Sequence, residues 1–174
     1  IGRTGHIGFN EPGSHLNSQT RTITLDHLTR YDAISAFQGI ENVPRKAITM
    51  GIQSILNAKR ILLMAWGTNK AGIIQKAVEG EISDKIPTTY LQNHKNTTLI
   101  LDEEASSDLT RIKTPWLVGN YEWTDANSLK AIVWLCKKMN KSILKLTDED
   151  YNQNGMSDLL ALSGSSYDIN IDMF

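Results

Sequence analysis

Residues 60–80 read RILLMAWGTNKAGIIQKAVEG, and this stretch decides the fold class. It opens with an apolar run, Ile61 to Trp66, that is typical of a β-strand buried on both faces. The turn Gly67-Thr68-Asn69 follows, and apolar residues at helical spacing then predict a helix that Gly80 ends. A buried strand joined directly to an amphipathic helix indicates an α/β fold with a mainly parallel sheet.

The segments around this unit extend the pattern. Pro44 and the apolar residues between 47 and 56, which follow at helical spacing, predict another helix. Residues 87–91 and 97–101 predict two short strands. Buried strands that alternate with amphipathic helices are the arrangement of a layered α/β domain.

From Pro115 onward the pattern becomes helical. Thr124 is a candidate N-cap for a helix that runs to about Asn140. The spacing predicts that one face of this helix is buried, and the residues of that face are Leu129, Ile132, Val133 and Cys136. Thr147 and Asp150 have the spacing of a capping box at the start of a later helix.

Composition excludes several classes of protein. With 40% hydrophobic and 21% charged residues, the 174-residue chain is expected to fold, and its net charge of -1 argues against a nucleic-acid partner. No apolar run approaches the ~20 residues that span a bilayer, and the first residues do not resemble a signal peptide, so no membrane partner is expected. The single cysteine, Cys136, excludes an intrachain disulfide and fits a reducing compartment, so we predict a cytoplasmic protein.

The charge is distributed unevenly along the chain. Residues 147–174 contain six acidic residues and no basic one. A solvated acidic surface segment is the favoured interpretation, and a linker or the lead into a further domain are the alternatives.

The densest group of polar residues lies in the glycine-rich loop of residues 2–14. His6 titrates near neutral pH, and Glu11 lies five residues on, within reach of the imidazole if the loop folds back. A carboxylate on one ring nitrogen leaves the other nitrogen available for proton transfer. The alternative is an ordinary structural histidine in a loop.

A second candidate site follows the buried strand. Lys70 begins the predicted helix of residues 70–80, where free backbone N–H groups and the helix dipole favour an anion such as a phosphate. The alternative is an exposed lysine on a surface turn. No metal site is expected, because the four histidines lack close ligand spacing and there is no second cysteine.

Residues 6–14, HIGFNEPGS, resemble the signature loop of the glucosamine-6-phosphate deaminase (isomerase) family. Further segments agree with that family in order, and the resemblance covers about residues 1–114. These segments are Thr20-Arg21, Val43-Pro44, Gly67-Thr68-Asn69-Lys70-Ala71, Ala77-Val78-Glu79-Gly80, Leu91-Gln92-Asn93-His94 and Leu101-Asp102-Glu103.

The resemblance implies a doubly wound, Rossmann-like, three-layer α/β domain with a parallel sheet. Residues 1–114 would be its C-terminal portion, and residues 115–174 a mostly helical extension or linker with an acidic end. The implied reaction converts glucosamine 6-phosphate to fructose 6-phosphate and ammonia in amino-sugar catabolism. The implied partner is therefore a phosphorylated amino sugar, and no cofactor or metal is expected.

The resemblance also assigns roles to particular residues. His6 would transfer the proton that opens the sugar ring, and Glu11 would support it. Lys70 would contact the substrate phosphate, with Gly5 and Thr4 beside it in the substrate site. Ser14 and Arg21 match positions that bind an allosteric effector in some members.

Three positions depart from the family pattern. Thr4 occupies the place of an aspartate two residues before the histidine, and a threonine cannot supply a negative charge to the imidazole. The family's phosphate-binding arginine has no counterpart between Arg30 and Arg45, although Arg30 is a candidate substitute. Ile23 occupies the place of an effector-site lysine.

The family's N-terminal half, with its phosphate loop and the aspartate that abstracts the C2 proton, has no counterpart in this sequence. We therefore expect a fragment that is inactive alone and whose exposed sheet surface favours a homo-oligomer. Two alternatives stay open. One is a non-catalytic sugar-phosphate-binding or regulatory domain on the same scaffold, and the other is an isomerase that acts on another phosphosugar.

Overall fold

The computed structural model describes all residues, Ile1–Phe174. The chain forms two compact units, Ile1–Leu109 and Thr110–Phe174. The first unit mixes strands and short helices, whereas the second is helical throughout. The predicted boundary at residues 114 and 115 separates the family's catalytic domain from the extension, and it stays a prediction.

The first unit contains four strands and five α-helices. In chain order they are β1 (Arg21–Thr24), α1 (His27–Asp32), α2 (Ile34–Phe37), β2 (Lys46–Thr49), α3 (Ile52–Leu56), β3 (Ile61–Ala65), α4 (Ala71–Glu79), β4 (Thr97–Leu101) and α5 (Glu103–Ser106). Two 3-10 helices, Thr68–Lys70 and Pro87–Asn93, connect them.

The second unit contains five α-helices. They are α6 (Thr110–Lys113), α7 (Asp125–Met139), α8 (Asp148–Gln153), α9 (Ser157–Ser163) and α10 (Ser166–Asp172). The 3-10 helices Pro115–Leu117 and Ile143–Lys145 lie between them. None of the helices in either unit combines the length and apolar character that crossing a bilayer requires.

The parallel α/β arrangement is confirmed by β3 and β4. These strands pair in parallel, with Ile61 opposite Thr97 and Ala65 opposite Leu101. The helix predicted after β3 is present as α4. The strand predicted at residues 97–101 is also present, as β4.

The expectation that β3 is buried on both faces is wrong. Ile61, Leu63 and Ala65 point to one face and are buried, whereas Leu62 and Met64 on the other face are 49% and 54% exposed. The buried face packs on the two neighbouring helices, since Ala65 shares a core with Ile74 of α4 and Ala105 of α5. No element of the first unit covers the other face, so we refer to Leu62, Met64 and Ile100 as the open sheet face.

The helix predicted over residues 47–56 is correct only at its end. Lys46–Thr49 form β2, which pairs antiparallel with β1, and only Ile52–Leu56 are helical. The chain changes conformation at Gly51, where a Cβ atom would lie 2.0 Å from the carbonyl oxygen of Ser18. This close approach of two backbone segments separates the strand from the helix and leaves the predicted longer helix no room.

The strand predicted at residues 87–91 is also wrong, because Pro87–Asn93 form a 3-10 helix. Thr88 and Thr89 are buried, and their hydroxyls donate to the carbonyl oxygens of Gly5 (2.6 Å) and Ile86 (2.7 Å). The backbone N–H groups of Thr88 and Thr89 bond to the same two carbonyl oxygens, so they are not available for the ladder bonds that a strand would need.

Helix α7 begins as predicted, with Thr124 accepting a hydrogen bond from Asn127 N, but its buried face is rotated from the predicted one. Leu129 and Val133 are 47% and 43% exposed. Ile132 is buried as predicted, and Cys136 is half-buried against the core. The residues that are buried are Ser128, Ala131, Ile132 and Leu135.

Residues 147–174 fold into helices α8 to α10 and are not a solvated tail, although five of their six acidic residues are exposed at the surface. The predicted capping box of Thr147 and Asp150 is present. Tyr151, Met156 and Ile169 are buried in the core of the second unit. The acidic residues lie mostly in first helical turns, where a negative charge interacts favourably with the positive end of the helix dipole. These are Asp148, Glu149 and Asp150 in α8, Asp158 in α9 and Asp168 in α10.

Candidate active site

His6 lies in a tight loop at the beginning of the chain. Gly2 N donates to His6 O at 3.1 Å, and Gly5 N donates to Gly2 O at 3.0 Å. The imidazole lies directly on the backbone of Gly2, because a Cβ atom built there would be 2.0 Å from Cε1 of His6. Any side chain at residue 2 would therefore displace the ring.

Three oxygen atoms surround one nitrogen of this ring. His6 Nδ1 lies 3.2 Å from Glu11 Oε2, 3.0 Å from Thr4 Oγ1 and 3.3 Å from Thr29 Oγ1. The His6 and Glu11 side chains are only 15% and 11% exposed, so this contact is largely shielded from solvent. None of these contacts involves Nε2, the second ring nitrogen.

Glu11 is itself held in place by two donors. Its Oε1 accepts from the backbone N–H of Asp26 at 3.3 Å, and its Oε2 accepts from the hydroxyl of Thr4 at 3.3 Å. Burial lowers the pKa of His6 below its ordinary value, and the Glu11 carboxylate opposes that effect. The ring is therefore neutral near pH 7 and has one nitrogen able to accept a proton.

Lys70 lies close to the same region, in the turn after β3. It ends the 3-10 turn Thr68–Lys70 between β3 and α4, and its Nζ donates to the carbonyl oxygen of Ile1 at 3.0 Å. Its positive charge is close enough to contribute to the lowered pKa of His6. The structure thus brings Lys70, in the turn after the carboxyl end of β3, near the pair of His6 and Glu11. The carboxyl ends of parallel strands are where α/β sheets bind ligands.

Thr4 and Gly5 have different surroundings, although the sequence placed both in the substrate site. Thr4 faces His6 and Glu11, as described above. Gly5 has a φ of 79° and its carbonyl oxygen accepts from both the N–H and the hydroxyl of Thr88, at 3.0 and 2.6 Å. The Gly5 carbonyl oxygen therefore accepts two hydrogen bonds from within the protein.

Ser14 and Arg21, the two candidate effector residues, are in direct contact. Arg21 Nη2 donates to Ser14 Oγ at 2.9 Å, and its Nη1 donates to Asn10 Oδ1 at 2.9 Å. Asn10 is fully buried and donates to the carbonyl oxygens of Ile7 and Met50. This polar cluster fastens the histidine loop to the antiparallel strand pair.

Arg30, the candidate substitute for a phosphate-binding arginine, is engaged elsewhere. Its Nη2 donates to the carbonyl oxygens of Ile40 and Val43, at 2.9 and 3.3 Å. Its guanidinium therefore stabilises the loop before β2.

Sequence reasoning missed two contributors to the site. Thr29 lies in α1, 23 residues from His6, and nothing in its sequence context distinguishes it from an exposed helical threonine. The sequence indicates backbone freedom at Gly2, but the contact of this residue with the imidazole is visible only in the structure. No group of three or more His, Cys, Asp and Glu side chains is arranged to hold a metal ion.

Known proteins resemble this chain over different lengths. No protein-family model matches it. A glucosamine-6-phosphate deaminase-like protein of Bacteroides thetaiotaomicron is 56% identical over 174 residues, which is 100% of this chain and 26% of that protein. The glucosamine-6-phosphate deaminase of Oceanobacillus iheyensis is 48% identical over 110 residues, covering 63% of this chain and 44% of the relative. Glucosamine-6-phosphate deaminase 1 of Bacillus subtilis is 49% identical over 107 residues, with 62% and 44% covered.

A solved structure agrees with these relatives. A monomeric glucosamine-6-phosphate deaminase superposes with a TM-score of 0.61 at 48% sequence identity, covering 62% of this chain and 45% of that one. The chain thus spans about a quarter of the length of the Bacteroides relative and less than half of the deaminases.

Proposed function

Because the chain is homologous to the glucosamine-6-phosphate deaminases, we propose that it forms part of an enzyme that converts glucosamine 6-phosphate to fructose 6-phosphate and ammonia. The observation that carries this proposal is the shielded contact of 3.2 Å between His6 Nδ1 and Glu11 Oε2. A neutral imidazole that is held at one nitrogen by a carboxylate can exchange a proton at the other.

The proposed roles of the residues follow from their positions. His6 carries a proton from the anomeric hydroxyl to the ring oxygen as the sugar ring opens, and Glu11 stabilises the charged imidazole that forms on the way. Lys70 offers its ammonium group to the substrate phosphate beside the start of α4. Ser14 and Arg21 form a separate polar cluster, which we propose as the effector site.

We expect the 174-residue chain alone to be inactive, since the resemblance assigns abstraction of the C2 proton to a residue outside it. The assay therefore compares this chain with the full-length protein, measuring fructose 6-phosphate and ammonia. Turnover by the full-length protein and none by the chain supports the proposal. Turnover by the chain alone contradicts the expectation of an inactive fragment.

The histidine is tested by substitution in the full-length protein. His6→Ala is expected to lower kcat by roughly 10²- to 10⁴-fold, the range for loss of a general acid–base group. His15→Ala is the matched control, because His15 is an exposed histidine directly after the histidine loop. Equal activity of the two variants would remove His6 from the reaction.

A non-catalytic sugar-phosphate-binding or regulatory domain is the second candidate. The observation that favours it is the neutral hydroxyl of Thr4 at His6 Nδ1, where the resemblance leads one to expect an aspartate. Calorimetry on the full-length protein separates the two: binding of glucosamine 6-phosphate without turnover supports this second function. Binding and turnover of another phosphosugar would instead indicate a changed substrate.

We also propose that the chain associates with itself through the open sheet face in the cytoplasm. An apolar sheet face and two unpaired strand edges favour contact with a second copy. The cytoplasmic location rests on the metabolic relatives and is tested by cell fractionation.

A further inference from the structure

The arrangement around His6 determines where its ring proton lies. An ionised Glu11 carboxylate has no hydrogen to donate, and its Oε2 is 3.2 Å from His6 Nδ1. Two acceptors at that distance would repel each other, so Nδ1 must carry a hydrogen. The neutral ring then has an unprotonated Nε2.

Thr4 fits this arrangement in only one way. Its single hydroxyl hydrogen is directed at Glu11 Oε2, 3.3 Å away, so towards His6 Nδ1, at 3.0 Å, its oxygen can only accept. The result is a chain of hydrogen bonds from Nδ1–H to the Thr4 hydroxyl and from that hydroxyl to the carboxylate.

Thr29 adds a third oxygen from a different element. It lies in the first turn of α1, whereas Thr4 and Glu11 belong to the histidine loop, and its Oγ1 is 3.3 Å from Nδ1. Asp26 is the N-cap of α1, and its N–H donates to Glu11 Oε1. This bond fixes the position of the helix relative to the carboxylate. Thr29 thereby adds a contact to Nδ1 that does not come from the histidine loop.

We infer that Thr4 and Thr29 are positioning residues, whose hydroxyls together with Glu11 hold His6 as the tautomer with hydrogen on Nδ1 and leave Nε2 free to accept the substrate proton. The inference deepens the proposed function, because it names the groups that prepare the proton-transfer residue. It assigns Thr4 to the histidine, not to the substrate contact that the resemblance suggested.

The test measures the tautomer of His6 directly, without any turnover. Long-range proton–nitrogen correlation spectra of the nitrogen-labelled chain distinguish a protonated ring nitrogen from an unprotonated one. All spectra are recorded at one fixed pH above the pKa of His6, so that the ring is neutral and the variants are compared under the same conditions. We expect hydrogen on Nδ1 in the unsubstituted chain, and hydrogen on Nε2 would overturn the inference.

Substitutions then separate the two hydroxyls from mere packing. Thr4→Val and Thr29→Val keep the side-chain shape and remove the hydroxyl, whereas Thr4→Ser and Thr29→Ser keep the hydroxyl. We expect the ratio of the two tautomers to fall about tenfold in Thr4→Val and about threefold in Thr29→Val, as loss of a hydrogen bond predicts. The serine variants should keep the ratio of the unsubstituted chain. Equal ratios in the valine and serine variants would contradict the assignment of Thr4 and Thr29 as positioning residues.

Two further results keep this inference separate from the proposed function. Amide spectra show whether each variant is folded, and if a valine variant is not, the unsubstituted chain and the serine variants still decide the tautomer. If the full-length protein shows no deaminase turnover while the tautomer behaves as expected, the proposed function fails and the positioning assignment stands. If turnover occurs with hydrogen on Nε2, the positioning assignment fails and the proposed function stands.

Discussion

The carboxylate of Asp102 is bound to the backbone N–H of Gly67, with oxygen–nitrogen distances of 2.9 and 3.1 Å. Gly67 follows β3 and Asp102 follows β4, so this contact ties together the carboxyl ends of the two parallel strands. One of the same oxygens also accepts from Ala105 N at 2.8 Å and so caps α5. Asp102 therefore positions the turn that carries Lys70.

Removing this carboxylate should loosen the turn. Asp102→Ala leaves the N–H groups of Gly67 and Ala105 without their acceptor, and we expect the free energy of unfolding to fall by about 1 to 3 kcal/mol. Urea unfolding measures the loss, and amide exchange should accelerate at both N–H groups. Asp102→Asn retains one acceptor oxygen, so its free energy of unfolding should fall less. Unchanged protection of the Gly67 amide from exchange in Asp102→Ala would contradict the contact between Asp102 and Gly67.

The contact between Gly2 and His6 predicts an effect confined to the ring. In Gly2→Ala the new Cβ would lie 2.0 Å from His6 Cε1, so the imidazole must swing away and lose the contact between Nδ1 and Glu11. We expect the His6 ring signals to shift while the remaining spectrum is retained. Gly119→Ala is the control, because nothing lies within 4 Å of a Cβ built there. Ring signals that move equally in both variants would refute this close contact.

The lowered pKa of His6 predicts a loss of stability in mild acid. The unfolded chain takes up a proton at His6 near pH 6.5, whereas the folded chain does so only at lower pH. The free energy of unfolding should therefore fall as the pH drops through 6.5 towards the folded pKa. Urea unfolding between about pH 8 and pH 5 should show this fall, and His6→Gln should reduce it.

The carboxylates of the second unit respond in a separate, more acidic range. Hydrogen bonds from Ser166 and Lys141 hold the pKa values of Asp148 and Asp150 below 3.8. Their contribution is present above pH 3.8 and is lost as the pH falls through the lower folded values. The fall near pH 6.5 is a separate effect. If the free energy of unfolding falls there to the same extent in His6→Gln, a group other than His6 causes that fall.

Asp150 joins two stabilising contacts in the second unit. It accepts from Lys141 Nζ at 2.8 Å and from the backbone N–H of Thr147 at 2.9 Å. Asp150→Asn weakens both, and we expect α8 to lose about 1 to 2 kcal/mol of stability, measured by amide exchange in that helix. Asp172→Asn, an exposed carboxylate at the end of α10, should change exchange little. Equal effects would contradict the capping argument.

The open sheet face predicts concentration-dependent association. Met64→Lys together with Ile100→Lys places two charges on that face, where the side chains are 54% and 48% exposed, and should lower the mass seen by light scattering. Leu162→Lys is the control, since Leu162 is 72% exposed but lies in α9. A monomer at all concentrations before substitution would exclude association through this face.

The strongest local patterns predicted their elements correctly. The run Ile61 to Trp66 contains the parallel strand β3, and the apolar residues after Lys70 lie in a helix, because both patterns are set by residues within one element. The caps of α7 and α8 are predictable for the same reason, since a cap depends on residues three positions apart.

The errors arose where distant residues decide the structure. Lys46–Thr49 are extended because β1 pairs with them. Residues 87–93 form a 3-10 helix in which Thr88 bonds to Gly5, 83 positions away. The spacing of Glu11 and His6 predicts their contact, whereas Thr29 depends on how α1 packs on the loop. The acidic residues of the second unit were misinterpreted because composition does not reveal that they begin helices.

The same acidic residues make the starts of three helices in the second unit unfavourable for anions. Helices α8, α9 and α10 each have carboxylates in the first turn, so a phosphate approaching there meets charge repulsion. In α8 and α10 a side-chain cap also occupies one of the free N–H groups. Helix α4 has no acidic residue in its first turn and no side-chain cap, and Lys70 precedes it. An anion that approaches the start of α4 therefore meets uncapped N–H groups and a lysine instead of a carboxylate.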